Sequence, residues 1–135
     1  MAEPTLADWK SMYRQLWRIR LFEGQVQRLA GSGEIPGFPH LSTGQEAVAV
    51  GVCAHLTSAD VLFTSHRGHG HVLAKGSDIE ATFAEILGRA NGLCRGRGGS
   101  MHLVDAAHGV LGATGVVGGN LALAAGAAWA AQARG

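Results

Sequence analysis

Charge is scarce in this sequence. Only 16% of its 135 residues are charged, and the formal net charge is +1. A basic surplus is typical of nucleic-acid-binding domains, and long charged tracts are typical of disordered tails, so neither class is indicated. Hydrophobic residues make up 47% of the chain, which is too many for a disordered polar segment. The sequence therefore predicts one folded domain without a nucleic-acid partner.

Cysteine and long apolar runs are also scarce. Cys53 and Cys94 lie far apart and neither belongs to a C-x-x-C pair, so they fit reduced thiols in a cytosol better than a disulfide framework. Residues 1–4 lack the basic and apolar regions of a signal peptide. The most apolar stretch, residues 121–131, is far shorter than the roughly 20 residues of a membrane span. We expect a cytoplasmic chain that does not enter a membrane.

The mean hydropathy of +0.13 is high for a lone soluble domain of this size. Small domains bury only a limited share of their apolar surface. We therefore expect another chain, or a segment that this sequence does not include, to cover part of the surface.

Apolar side chains recur at helical spacing near the N-terminus, at Leu6, Trp9, Met12, Tyr13, Leu16, Val26 and Leu29. This spacing predicts a long first helix whose aromatic stripe packs in the core. Residues 1–7 form a leader to it, with Thr5 and Asp8 as a capping box. Gly31 and Gly33 are expected to end the helix.

Two further capping boxes occur downstream, Thr43 with Glu46 and Ser77 with Glu80. The first predicts a helix of small residues from Gln45 to about His55, and the second predicts a helix with one apolar face. Residues 121–133 predict a last helix without a polar face, which must be buried on all sides.

Two glycine-rich stretches carry histidine and arginine, residues 66–71 (HRGHGH) and 96–102 (GRGGSMH). The first directly follows Val61–Thr64, a short β-prone run that we predict to be a strand. Ligands of α/β proteins bind at the carboxyl ends of strands. Glycine lets backbone N–H groups approach an anion, and arginine offers a planar fork of donors. Both stretches together fit a cofactor that carries a diphosphate.

Two other interpretations compete. A metal site needs the imidazoles of His66, His69 and His71 to converge, but the run contains no Asp or Glu, and Arg67 places a positive charge beside the metal. An RNA-binding glycine–arginine segment at residues 95–99 is a single copy without an aromatic stacking platform. We favour the diphosphate site and predict no metal ligand in this chain.

Several short motifs follow one another along the chain, GEIPGF (33–38), HL (40–41), GQEA (44–47), HRGHGH (66–71), GR (88–89), GGSMH (98–102) and GVVG (115–118). In this order they resemble the alpha subunit of the thiamine-diphosphate-dependent 2-oxoacid dehydrogenases, the first, decarboxylating component of these complexes. The residues of the GEIPGF and HRGHGH motifs are most similar to those of the acetoin dehydrogenase branch. The resemblance implies an α/β thiamine-diphosphate-binding fold. Residues 1–135 are its incomplete, mostly helical N-terminal part, with one or two short strands.

The resemblance also implies positions for the cofactor. His66 and Arg67 match the pair that contacts the diphosphate, where pyruvate enzymes usually carry Tyr-Arg. Gly115 and Val117 match main-chain contacts to the aminopyrimidine ring.

Histidines supply the predicted catalytic groups. By resemblance, His40 lines the substrate end and is expected to relay a proton. His69 lies in a matching stretch, and we predict that it is catalytic as well. His102 also lies in a matching stretch, whereas Gly98, Gly99 and Ser100 are expected to be loop architecture.

Other parts of the enzyme are expected outside this sequence. The family's Gly-Asp-Gly motif, which holds magnesium, is expected beyond Gly135, and the catalytic glutamate belongs to a beta subunit. The resemblance implies two alpha and two beta chains and a lipoyl acyltransferase partner. The implied reaction is oxidative cleavage or decarboxylation of acetoin or a 2-oxoacid. The alternative is a non-catalytic fragment that keeps the family surface for subunit assembly.

Overall fold

The computed structural model describes residues 4–135, which form five α-helices and two strands. In chain order these are α1 (Leu6–Gly31), α2 (Glu46–Cys53), β1 (Leu62–Ser65), α3 (His69–Lys75), α4 (Ile79–Ile86), β2 (Val110–Thr114) and α5 (Gly119–Arg134), with 3-10 turns at Gly99–Met101 and Ala106–His108. This is the mixed helix and sheet that the α/β prediction requires. The predicted leader, residues 1–7, is too long because α1 begins at Leu6, and its first three residues lie outside the described part.

Helix α1 has the predicted N-terminal cap and a different buried face. The Thr5 N–H donates to Asp8 Oδ2 at 2.8 Å, and the Asp8 N–H donates to Thr5 Oγ1 at 3.3 Å, so the capping box is confirmed. The aromatic stripe is not core, since Trp9, Tyr13 and Trp17 are 56%, 60% and 50% exposed. Each step of four residues turns a side chain about 40° further around a helix. The stripe therefore turns away from the buried face.

The predictions of the other two capping boxes, at α2 and α4, are wrong. Glu46 does not pair with Thr43; its carboxylate accepts from Arg20 Nε at 2.5 Å and Nη2 at 3.1 Å. The hydrogen bond from Arg20 lowers the pKa of Glu46 to about 2. At α4 the cap is Asp78 rather than Ser77, and its Oδ1 accepts the Ala81 N–H at 2.8 Å. A long-range ion pair and a better capping residue explain the two errors.

Strands β1 and β2 form a parallel pair, with Leu62 opposite Val110 and Ser65 opposite Thr114. The predicted strand Val61–Thr64 is confirmed with a shift of one residue. Parallel strands need a crossover connection, which here contains α3, α4 and the second glycine-rich stretch. Both strands end at the same edge of the sheet. The residues that follow Ser65 and Thr114 therefore lie side by side.

The buried apolar residues form two clusters. The larger one lies among the helices, at Ile19, Phe22, Val26, Ile35, Ala49, Val50, Leu73 and Ile86. The smaller one lies at the sheet, at Val72, Leu103, Val110 and Ala113. Helix α3 contributes to both, because Val72 and Leu73 point to opposite clusters. It therefore joins the helical part of the chain to the strands.

Helix α5 packs against both strands, and none of its residues is buried. Leu121 and Trp129 are 72% and 74% exposed. Residues 4–135 therefore do not provide the predicted burial of this helix on all sides, which stays a prediction that depends on another chain or segment. Along the same described residues, no helix combines the length and the apolar character that crossing a bilayer requires.

The first prediction concerns the core. Ile19 is fully buried on α1, whereas Leu21 on the same helix is 66% exposed. Ile19→Ala should lower the free energy of unfolding by about 2–5 kcal/mol, because it removes buried methylenes and leaves a cavity. Leu21→Ala is the matched control and should change it by less than about 0.5 kcal/mol. Urea denaturation followed by circular dichroism measures both, and equal losses would contradict this core.

Candidate cofactor site

The first glycine-rich stretch leaves β1 and starts α3 within a few residues. A Cβ atom on Gly68 would lie 2.7 Å from Thr64 Cγ2, so only glycine fits between the strand and the helix. This tight turn leaves the Arg67 side chain exposed, and its Nη1 donates to the Leu41 carbonyl oxygen. Sequence reasoning missed α3, since this short helix begins among histidine and glycine. The turn presents a guanidinium at the carboxyl end of the strand, as an anion site there requires.

Two histidines meet beside Arg67. The rings of His40 and His66 are edge to face, with centroids 5.2 Å apart. His66 Nδ1 is buried and has no hydrogen-bond partner, so it is an unused polar atom at this edge. His40 Nδ1 lies 2.9 Å from the Phe38 carbonyl oxygen. A carbonyl oxygen only accepts, so this ring nitrogen carries a proton, and in the neutral ring Nε2 is an acceptor.

His69 occupies a different environment from the other two. Its side chain is fully buried, Nδ1 lies 3.0 Å from Glu23 Oε2, and Nε2 lies 2.9 Å from Ser100 Oγ. Ser100 Oγ also accepts the His40 N–H at 3.0 Å. Sequence reasoning missed Glu23 and assigned Ser100 only to loop architecture. A glutamate at the centre of the buried face of α1 was the one signal for this network.

Glu23 is a buried carboxylate with several donors. Ser42 donates to its Oε1 through the backbone N–H at 3.0 Å and through Oγ at 2.5 Å, and His69 contacts Oε2. Burial raises the pKa of Glu23, but the hydrogen bonds from His69 and Ser42 outweigh burial and hold the pKa below its ordinary value. Glu23 is therefore ionised near neutral pH.

The second glycine-rich stretch binds a carboxylate of the protein itself. Glu85, fully buried on α4, accepts the N–H groups of four residues, Cys94, Gly96, Gly98 and Gly99, at 2.7, 2.8, 2.7 and 3.2 Å. Burial raises the pKa of Glu85, and these bonds lower it to a net value below the ordinary one. The expectation that this stretch offers its N–H groups to a diphosphate is therefore wrong. The assignment of Gly98 and Gly99 to loop architecture is confirmed.

The two predicted main-chain positions follow β2. Thr114 pairs with Ser65, so Gly115 and His66 follow directly paired residues. Gly115 is exposed, and a Cβ atom on it would lie 3.5 Å from His102 Cε1. Val117 is 84% exposed. The strand edge thus carries His66 and Arg67 on one strand and Gly115 and Val117 on the other, with His40 beside them.

The three histidines of the first stretch do not converge. Among residues 4–135, no group of three or more His, Cys, Asp or Glu side chains is arranged to hold a metal ion. Cys53 and Cys94 are both free. The exposed guanidinium of Arg67 and the exposed main chain at Gly115 and Val117 fit an anionic cofactor. The side chains of residues 4–135 supply no ligand set that fits a metal ion.

Comparison with known proteins identifies the family. The sequence pattern of the dehydrogenase E1 component family matches residues 14–135. The chain belongs to this family. It is 54% identical over 121 residues to the alpha subunit of acetoin:2,6-dichlorophenolindophenol oxidoreductase from Bacillus subtilis, which covers 90% of this chain and 36% of the relative. Its counterpart from Cupriavidus necator is 46% identical over 125 residues, 93% of this chain and 38% of the relative.

A pyruvate dehydrogenase E1 component subunit alpha, from Zymomonas mobilis, is also similar. It is 47% identical over 119 residues, which are 87% of this chain and 34% of that subunit. The chain thus spans little more than a third of the length of these relatives, and the matches include relatives from both the acetoin and the pyruvate enzymes.

The second prediction concerns Glu85. Glu85→Gln should lower the free energy of unfolding at pH 7 by about 2 kcal/mol, because charge-assisted hydrogen bonds are replaced by weaker ones. A lowered folded pKa means that the ionised carboxylate stabilises the fold above the ordinary value of 4.5, and that this contribution is lost as pH falls through the folded pKa. The variant should therefore lose less stability than the parent upon acidification.

The control is Glu80→Gln, an exposed glutamate on the same helix. It should leave both the stability at pH 7 and its acid dependence nearly unchanged. Urea denaturation at a series of pH values below 7 measures the three proteins. Identical acid profiles for the parent and Glu85→Gln would contradict the assignment of an ionised, N–H-bound carboxylate.

Proposed function

We propose that this chain forms the cofactor-diphosphate side of a thiamine-diphosphate-dependent dehydrogenase alpha subunit. The enzyme cleaves or decarboxylates acetoin or a 2-oxoacid and passes the acyl group to a lipoyl partner. The observation that carries this proposal is the strand edge where Arg67, His66 and His40 meet, in a chain of the E1 component family. When bound, thiamine diphosphate supplies an electron sink for carbon–carbon bond cleavage. The protein binds it, orients it and moves protons near it.

Arg67 is the proposed main contact of the diphosphate. One of its terminal nitrogens is held by the Leu41 carbonyl oxygen, which orients the guanidinium and leaves its other N–H groups for phosphate oxygens. His66, the adjacent residue, is the proposed second contact; its Nδ1 is unpartnered but buried, so the ring must turn for this atom to reach a phosphate oxygen. On the neighbouring strand, the exposed main chain at Gly115 and Val117 is the proposed contact of the aminopyrimidine ring.

His40 is the proposed proton carrier. It is half-buried, and because Nδ1 donates to the Phe38 carbonyl, Nε2 is the atom that takes up or gives a proton. The sequence predicts a catalytic role for His69 also. Its full burial and the use of both ring nitrogens support a role through other residues instead.

The remaining parts of the enzyme belong to the proposal as well. Magnesium would neutralise the diphosphate charge, held by ligands expected beyond Gly135. A beta subunit would supply the catalytic glutamate, and two alpha and two beta chains would assemble with a lipoyl acyltransferase in the cytoplasm. The second candidate is a non-catalytic fragment that serves subunit assembly. The exposed apolar residues of α5, such as Leu121 and Trp129, favour it.

The third prediction tests the Arg67 assignment in the assembled alpha–beta enzyme. Arg67→Lys should weaken the apparent affinity for thiamine diphosphate by about tenfold to a hundredfold, since a charge-assisted contact contributes about 1.5–3 kcal/mol and lysine lacks the planar fork. His66→Tyr should be mild, because pyruvate enzymes usually carry tyrosine there. Activity against cofactor concentration measures both. Parental affinity in Arg67→Lys together with loss in His66→Tyr would reverse the assignment.

The fourth prediction concerns the 135-residue chain by itself. Its described residues hold no acidic cluster for a metal ion, so the diphosphate lacks its metal partner. Titration calorimetry with thiamine diphosphate and magnesium should show only binding weaker than about 1 μM in dissociation constant. Arg67→Ala is the control that shows whether any weak heat comes from this site. Tighter binding by the chain alone would refute the proposed need for further ligands.

A further inference from the structure

The geometry points to a positioning relay made of Glu23, His69 and Ser100. The relay fixes the main chain of His40 beside the carboxyl end of β1, and His69 acts through Ser100 without contacting substrate. It rests on the proposed function only for the chemical role of His40.

The hydrogen-bond inventory sets the direction of the relay. The carboxylate of Glu23 only accepts, so the Nδ1 of His69 carries a proton and donates to it. In the neutral ring Nε2 is then an acceptor, and the hydroxyl of Ser100, whose oxygen also accepts the His40 N–H, donates its proton to it. The neutral Nδ1–H tautomer of His69 satisfies every group in this chain of bonds, and no ring nitrogen is left to react.

Three consecutive residues beside the strand edge are held by separate parts of the fold. Ser100 accepts the N–H of His40, Arg67 donates to the carbonyl of Leu41, and Glu23 accepts both the N–H and the hydroxyl of Ser42. Residues 40–42 are therefore fixed from three sides. Such preorganisation is what a proton carrier needs, because an error of about 1 Å in its position costs much of its effect.

Ser100 is itself held by the second glycine-rich stretch. Glu85 accepts the N–H groups of Gly98 and Gly99, directly before Ser100. Two buried carboxylates on different helices thus converge on one hydroxyl, Glu85 through the loop backbone and Glu23 through His69. Ser100 therefore has a positioning role: its hydroxyl contacts the main chain of His40 and the buried ring of His69.

The experiment uses the 135-residue chain without cofactor, so its result does not depend on the proposed enzyme activity. Two-dimensional NMR of ¹⁵N-labelled chain reports the His69 tautomer and the exchange rate of individual amides. We expect the Nδ1–H tautomer in the parent. Ser100→Ala should speed hydrogen exchange of the His40 amide about tenfold, because the variant loses one hydrogen bond. Exchange of the core amides of Ile19 and Phe22 should change less than about twofold.

Matched controls separate positioning from general stability. Ser77→Ala removes another buried serine hydroxyl outside the relay and should leave the His40 amide unchanged. His69→Asn keeps a donor near the Nδ1 position. The Ser42 amide should therefore keep its slow exchange, whereas exchange of the His40 amide should become faster. His69→Gln reaches the Nε2 position and should restore protection of His40.

Three results would overturn the relay. These are an Nε2–H tautomer of His69 in the parent, an unchanged His40 amide in Ser100→Ala, and equal acceleration of core and His40 amides. The last would indicate a merely structural role. The two proposals can fail separately. If the amide exchange rates follow the expected pattern but the Arg67 and His66 variants do not change cofactor affinity as predicted, the proposed function is rejected and the relay remains.

Discussion

The contact between Glu23 and His69 joins most of what the site is built from. A carboxylate buried in the interior loses its hydration, and it is tolerated only when donors replace the lost water. Glu23 obtains its donors from α3 through His69 and from the loop before α2 through Ser42. The position of each element is therefore constrained by the need to satisfy one charge at the centre of the helical core.

Several glycines in and near the second glycine-rich stretch are required by close packing of the backbone. A Cβ atom on Gly92 would lie 2.5 Å from the backbone of Glu85, and one on Gly98 would lie 2.3 Å from the His102 carbonyl oxygen. Such distances are too short for any side chain. A cluster of glycine N–H groups is an anion site, but here the anion is a glutamate on a neighbouring helix. A glycine-rich sequence therefore predicts that an anion is bound, but it does not predict whether the anion is a cofactor or a carboxylate of the protein itself.

Local sequence patterns predicted several helices and a strand, but they did not predict side-chain contacts between residues distant in sequence. The N-terminal cap of α1 and the strand before His66 could be read from spacing and turn residues, and the candidate site was placed at the carboxyl end of that strand on the same basis. The role of Glu46 could not, because its partner Arg20 lies on another helix. Glu85 was equally hidden, since its partners come from a loop that has no periodicity. The motif order indicated the residues of the strand edge, and only the fold separated the buried His69 from the accessible ones.

The parallel pairing of β1 and β2 also orders events in time. Leu62 and Val110 cannot pair until the intervening segment, which contains α3, α4 and the glycine-rich loop, has closed between them. Contacts between residues distant in sequence form slowly, because the entropy of closing the loop is lost before the pairing stabilises anything. Helices α1 to α4 have local hydrogen bonds and can form early. We therefore expect the strand edge, and with it the juxtaposition of Arg67 and Gly115, to be among the last parts of the molecule to assemble as the chain folds.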